Sequence, residues 1–179
     1  MENGSIQAEK KVIRNRRIIL AAAVLVIFLL WNTDGLFPKP WGIPAMLMVP
    51  VVITIGMFER ETAGMFFGLF AGVLMDAFSS ETVCFHSVML TAAGYFSGVL
   101  ITRLLRNNLK TCLLLNIVFL FIYNTLFYLI NYHRSVEEII PYAYSDVYVA
   151  SVFYTMVFVP FVYWIIRSIF KISNNKINI

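Results

Sequence analysis

Residues 64–76 read GMFFGLFAGVLMD, with Gly64, Gly68 and Gly72 at every fourth position and Asp76 at the next step. Four residues turn an α-helix by about 400°, so each glycine lies only about 40° round from the last and the set forms one ridge without side chains. In lipid no hydrophobic force draws helices together. Close backbone approach and dispersion do, and small residues at this spacing make a groove into which another helix settles. The ridge to Asp76 is about 18 Å long, most of a bilayer core. The spacing leaves open whether the helix in that groove belongs to this chain or to a partner. Gly94 and Gly98, in TAAGYFSGVL, repeat the spacing, so a glycine face meeting a glycine face is expected between the third and fourth helices.

Asp76 calls for a reason. A carboxylate costs about 2.5 to 3.5 kcal/mol at the bilayer centre and less toward the interface. The helix dipole also disfavours it near a C-terminus. Two readings follow: an Asx-type turn that closes the helix before SSET, or a buried polar contact to a neighbouring helix or partner. At the other end, in FERETAG, Glu61 opens the same helix, where the dipole favours a carboxylate.

The surroundings are hydrocarbon. The chain of 179 residues is 60% hydrophobic and 13% charged, with a mean hydropathy of +0.78, far from the quarter of charged residues usual in soluble domains. The expectation is an all-α integral membrane protein of one domain, a six-helix bundle over 18–170, with a basic cytoplasmic segment 1–17 and a cytoplasmic tail 171–179. Apolar runs at 18–36, 41–58, 62–78, 83–102, 111–132 and 147–166 each approach the roughly 17 to 25 residues that a tilted helix needs. The second is the least regular, because it carries Pro44 and Pro50. The first follows EKKVIRNRR, which resembles the start of a signal peptide, but no small-residue cleavage site follows and the segment reads as a retained span.

With six spans and the N-terminus inside, only Lys39 and Arg134 of the 14 basic residues fall outside, as the positive-inside rule requires. The net charge of +4 therefore needs no nucleic acid. Tyr128, Tyr132, Tyr142, Tyr144 and Tyr148 suit an aromatic belt at the outer interface. Cys84 and Cys112 lie near opposite faces in this topology, too far apart to bridge, and read as buried apolar thiols.

Signatures of catalysis are missing: no phosphate loop, no His-Glu-x-x-His, no Gly-x-Ser-x-Gly. His86 and His133 read as interfacial polar tips rather than as a Ser/His pair or metal ligands. The chemistry on offer is docking, with no cofactor and no metal.

The acidic turn, ETAGMFFGLFAGVLMD, the short loop and LTAAGYFSGVL, in a chain of this size and hydropathy, resemble the bacterial rod shape-determining protein family MreD. The most specific part is Glu61, Gly64, Gly68, Gly72 and Asp76 in order; the glycine-containing loop usual after the Asp is replaced here by AFSSETVCFHS. The resemblance implies a non-enzymatic membrane scaffold of the cell-wall elongation machinery in the cytoplasmic membrane, similar in shape to substrate-binding subunits of energy-coupling-factor transporters. It implies as partners a bitopic MreC-like protein, the filament MreB, the glycosyltransferase RodA and a penicillin-binding transpeptidase. Glu61, Gly64, Gly68, Gly72, Asp76, Gly94 and Gly98 are the candidate docking residues. The rival expectation is a vitamin transporter subunit, with an outward cavity lined by Trp41, Tyr95 and the tyrosine-rich loop, and with Ala21, Ala22 and Ala23 meeting a coupling protein.

Overall fold

The computed structural model describes residues 2–33, 46–79, 84–132 and 149–175. Six helices and no strand are found among them: α1 (Glu2–Asn32), α2 (Met48–Glu59), α3 (Glu61–Phe78), α4 (Phe85–Arg103), α5 (Leu109–Tyr132) and α6 (Val149–Asn175). Four of these, α3 to α6, are long and apolar enough to cross a membrane, which marks the chain as a membrane protein. Their outward surfaces agree. Phe66, Val73, Phe121, Phe153 and Trp164 are all exposed, a distribution suited to lipid and not to water.

The two other helices fall short of a full span for separate reasons. The first half of α1 carries Lys10, Lys11, Arg14, Arg16 and Arg17, so its apolar part begins only at Ile18. Helix α2 is apolar but has 12 residues, and the stretch expected to lengthen it, 41–45, lies outside the described residues. Outside them too are Trp41, Arg134 and the tyrosine-rich loop 133–148, with the outer contacts expected of them.

Helix α2 is the centre of the bundle. It touches α1, α3, α4, α5 and α6, and from Met48 to Met57 every residue is buried. A helix apolar all round has no solvent face to offer, and the interior is where it belongs. Pro50 is tolerated because it sits in the first turn, where its missing N–H would have had no intrahelical partner. Thr54 donates to the Pro50 carbonyl at 2.7 Å, which satisfies the hydroxyl within its own helix. In α6, Pro160 sits inside a helix that continues past it, a placement that membrane helices accept because neighbours satisfy the freed backbone groups.

One residue separates α2 from α3. Arg60 closes the first and opens the second with φ 74° and ψ 176°, a conformation that costs a residue with a Cβ about 1 to 3 kcal/mol. The turn is tight because α4 backs onto it: a Cβ at Gly98 would lie 2.5 Å from the Glu61 nitrogen and 2.7 Å from the Arg60 carbonyl carbon. Asn107, between α4 and α5, donates to the Met57 carbonyl at 3.1 Å and so satisfies one of the last acceptors of α2.

The same end of the bundle gathers the charge. Glu59, with a side chain only 2% exposed, accepts from Arg16 Nε at 2.5 Å, and Arg17 Nε lies 3.5 Å away. Arg16 also reaches Asn174 on α6 at 3.3 Å and lies over the Phe170 ring at 4.3 Å. Every Lys and Arg among the described residues lies toward this end, on the first half of α1, at the α2–α3 turn, around the α4–α5 connection or on the last part of α6.

Replacing Arg60 by glycine removes the Cβ that makes this backbone costly. Arg60→Gly should raise the unfolding free energy by about 1 kcal/mol, after the entropic cost of a new glycine, and the thermal midpoint in detergent is the measurement.

Candidate functional site

The glycine ridge of α3 is filled by α4. A Cβ added at Gly64 would strike the Gly94 carbonyl oxygen; one at Gly68 would strike the Leu90 carbonyl, and one at Gly72 the Ser87 Cα. These neighbours are backbone atoms, which cannot turn aside as a long side chain can. The contact is therefore helix against helix with almost nothing between, the geometry that small residues at four-residue spacing allow. Gly94 closes the approach from the other side on the Gly64 carbonyl, and Gly98 lies against the α2–α3 turn.

A sixth glycine belongs to the same contact. A Cβ at Gly56 on α2 would strike Ser97 Oγ and lie 2.5 Å from the Gly94 oxygen, while one at Gly64 would lie 2.7 Å from the Gly56 Cα. Three backbones thus meet around Gly56, Gly64 and Gly94. Sequence reasoning missed Gly56 because it stands alone in VITIGMF. Its only signal is a glycine in a segment otherwise rich in β-branched residues.

Each end of the ridge carries a carboxylate that reaches α4. Asp76 Oδ1 accepts the His86 N–H at 3.0 Å, and Oδ2 accepts the Ser87 N–H at 2.8 Å together with the Ser87 hydroxyl. Asp76 is thus the cap of the next helix and not of its own, and α3 closes by the Ser79 N–H on the Met75 carbonyl at 3.0 Å. The reason lies in the residue before α4. Cys84 is in the left-handed region at φ 62° and supplies no side-chain cap, so the first N–H groups of α4 take theirs from across the hairpin. The α4 dipole there is positive, which offsets the unfavourable dipole of α3. At the opposite end Glu61 accepts the Thr102 hydroxyl at 3.2 Å.

Two expectations are corrected by the packing. His86 is not an interfacial tip: it is buried, its Nδ1 lies 2.5 Å from the Tyr123 hydroxyl, and its ring stacks on Tyr123 and Phe127. Hydrogen bonding at Nδ1 and aromatic cover at the faces make the ring cheap to bury. Cys84 is exposed rather than buried, because the left-handed turn points it out of the hairpin; Cys112 is buried, 3.5 Å from Thr54 Oγ1, and both thiols are free.

The inner face of α5 holds two buried asparagines that sequence reasoning did not single out. Asn116 donates to the Cys112 carbonyl at 2.8 Å, but among the described residues its Oδ1 has no partner, and neither amide atom of Asn124 has one. Two Asn residues eight apart in LLLNIVFLFIYNTLF were the available signal. Among the described residues no three His, Cys, Asp or Glu side chains cluster as a metal site would need.

Comparisons with protein-family models, with curated proteins and with solved structures find no match to this chain.

The hairpin geometry gives separate expectations for its two devices. Gly72→Ala should cost about 1 to 3 kcal/mol, since the methyl group meets backbone on α4. Asp76→Ala should cost about 2 to 3 kcal/mol by stripping the charged acceptor from two N–H groups. Asp76→Asn should recover only part, because one of its two atoms is a donor facing donors. Unfolding midpoints in detergent rank the three variants.

Proposed function

We propose that this chain is a non-enzymatic membrane scaffold of the bacterial cell-wall elongation machinery, of the MreD type, that docks a single-helix MreC-like partner. The observation that carries the reading is the α3–α4 hairpin. Glu61, the three glycines and Asp76, the ordered residues on which the resemblance rests, all act on one contact, and together they make two helices into one stiff unit.

A stiff unit is useful to a scaffold if it presents a surface. Because α4 occupies the glycine groove, a partner's helix takes the outward side of the hairpin. There a shallow apolar groove of about 470 Å³ runs between the two helices, with Met65, Leu69, Val88, Thr91, Ala92 and Tyr95 along it. Met65, Leu69, Ala92 and Tyr95 give a helix the dispersion contacts on which association in lipid depends. In this reading the chain crosses the cytoplasmic membrane six times, α1 and α2 belonging to two of the spans. Both termini are inside, in keeping with the cations gathered at their end of the bundle. MreB, RodA and a transpeptidase are further members of the assembly, reached through the bitopic partner.

The test is a detergent pull-down of tagged protein, wild type beside Ala92→Trp, which fills the outer groove without touching the α3–α4 contact. A bitopic protein should co-purify with the wild type and fall at least tenfold with the variant, about 1.4 kcal/mol of lost binding, while the thermal midpoint is kept. Recovery of transporter ATPases in its place would identify a vitamin transporter subunit instead.

A further inference from the structure

At the cationic end of the bundle, α1 and α6 leave a cleft of about 240 Å³. Its walls are of two kinds. Val12, Ile19 and Ile172 are apolar, and Ile19 and Ile172 are exposed on the lipid side; Asn15, Arg16 and Ser173 are polar. Ser173 is only 8% exposed, and among the described residues its buried hydroxyl oxygen has no hydrogen-bond partner. A buried hydroxyl left so costs free energy unless something else satisfies it.

Among the described residues the charge around the cleft is not balanced: Arg16 and Arg17 face a single carboxylate, Glu59, which leaves one positive charge in excess there. The Arg16 guanidinium is also held in place: Glu59 and Asn174 take two of its five N–H groups and the Phe170 ring covers it. Lys11, one turn before Asn15 on the same side of α1, is exposed, and so is Arg14.

We propose that this cleft binds one anionic phospholipid. Its phosphate accepts from Arg16 and the Ser173 hydroxyl, and one acyl chain lies along Ile19 and Ile172 toward the bilayer. The two kinds of wall select this occupant. A free phosphate ion would satisfy the polar side and leave the apolar side empty, and a zwitterionic lipid brings no net charge to answer the surplus cation. Basic pockets between membrane helices near one surface recognise anionic headgroups by this combination. The proposal needs only the membrane placement of the chain, so it stands apart from the scaffold reading.

The experiment is native mass spectrometry of the full chain released from nanodiscs of equal phosphatidylglycerol and phosphatidylcholine with matched acyl chains. The wild type should retain phosphatidylglycerol over phosphatidylcholine by about fivefold, the worth of one cation near the surface. Ile172→Trp fills the cleft from a side chain that is 62% exposed, and should abolish the preference with the thermal midpoint unchanged. Ser173→Ala should reduce it about threefold; among the described residues that hydroxyl bonds nothing, so the change reads its contact with the headgroup. Equal retention of the two lipids by the wild type, or an unchanged preference in either folded variant, would overturn the assignment. Inorganic phosphate that raises the thermal midpoint as far as phosphatidylglycerol does would overturn the lipid as the occupant.

Discussion

Direct contact between the backbones of α3 and α4 is the constraint on which the rest of the bundle depends. Apolar side chains gain little by leaving lipid for a protein interior, since both are hydrocarbon, so helices must be held by close contact and by polar groups with nowhere else to go. The hairpin uses both. Gly64, Gly68, Gly72 and Gly94 bring carbonyls and Cα atoms of one helix against those of the other. Asp76 then fixes how far along its neighbour α3 can slide, because a carboxylate that accepts two consecutive N–H groups at an α4 N-terminus has one register. The glycines permit closeness without specifying position, and the aspartate specifies position without supplying area.

The other half of the bundle is organised by a buried ion pair. Burying Glu59 is expensive and Arg16 offsets that cost only in good geometry, so such a pair adds little net stability. Removing either partner is another matter, since it strands a charge. The pair therefore specifies which helices are neighbours more than how tightly they are held. One guanidinium touches α2 through Glu59 and α6 through Asn174 and Phe170, and α1 finds its place between them. Arg16 consequently does more than mark a membrane flank, although its neighbours Lys10, Lys11 and Arg14 remain exposed.

The parts legible in the sequence were those carried by period and spacing. Apolar runs bounded by charge locate six helices, and glycines four apart anticipate a close helix contact. Asp76 was legible as an anomaly, but its role depended on the left-handed turn at Cys84, and no local pattern foretells that a helix will be capped from the preceding one. His86 misled for a related reason: its burial is made possible by Tyr123 and Phe127, 37 and 41 residues further along in α5. Gly56 and Ser173 were silent because each matters only through residues of other helices, and Glu59, which FERETAG suggests as part of a solvated turn, is buried because Arg16 comes to it from α1. The centrality of α2 was hidden by Pro50, a residue that argues against a helix interior and is harmless in a first turn.

These contacts divide the molecule in a way that bears on how it could work. The glycine contact runs the length of α3 and α4 and leaves no room for one helix to shift against the other. Between α1 and α6 the described contacts are sparser: the Arg16 guanidinium reaches Asn174 and covers Phe170 beside the cleft at Ser173. On the proposed scaffold reading, a partner helix seated on the hairpin would meet a closely packed surface and lose little free energy in ordering its dock. A lipid in the cleft meets the more loosely joined pair, and its binding free energy would add to the bundle's stability. On the two proposals above, firm packing would belong to the side that meets a protein, and the more sparsely joined side to the one that meets the bilayer.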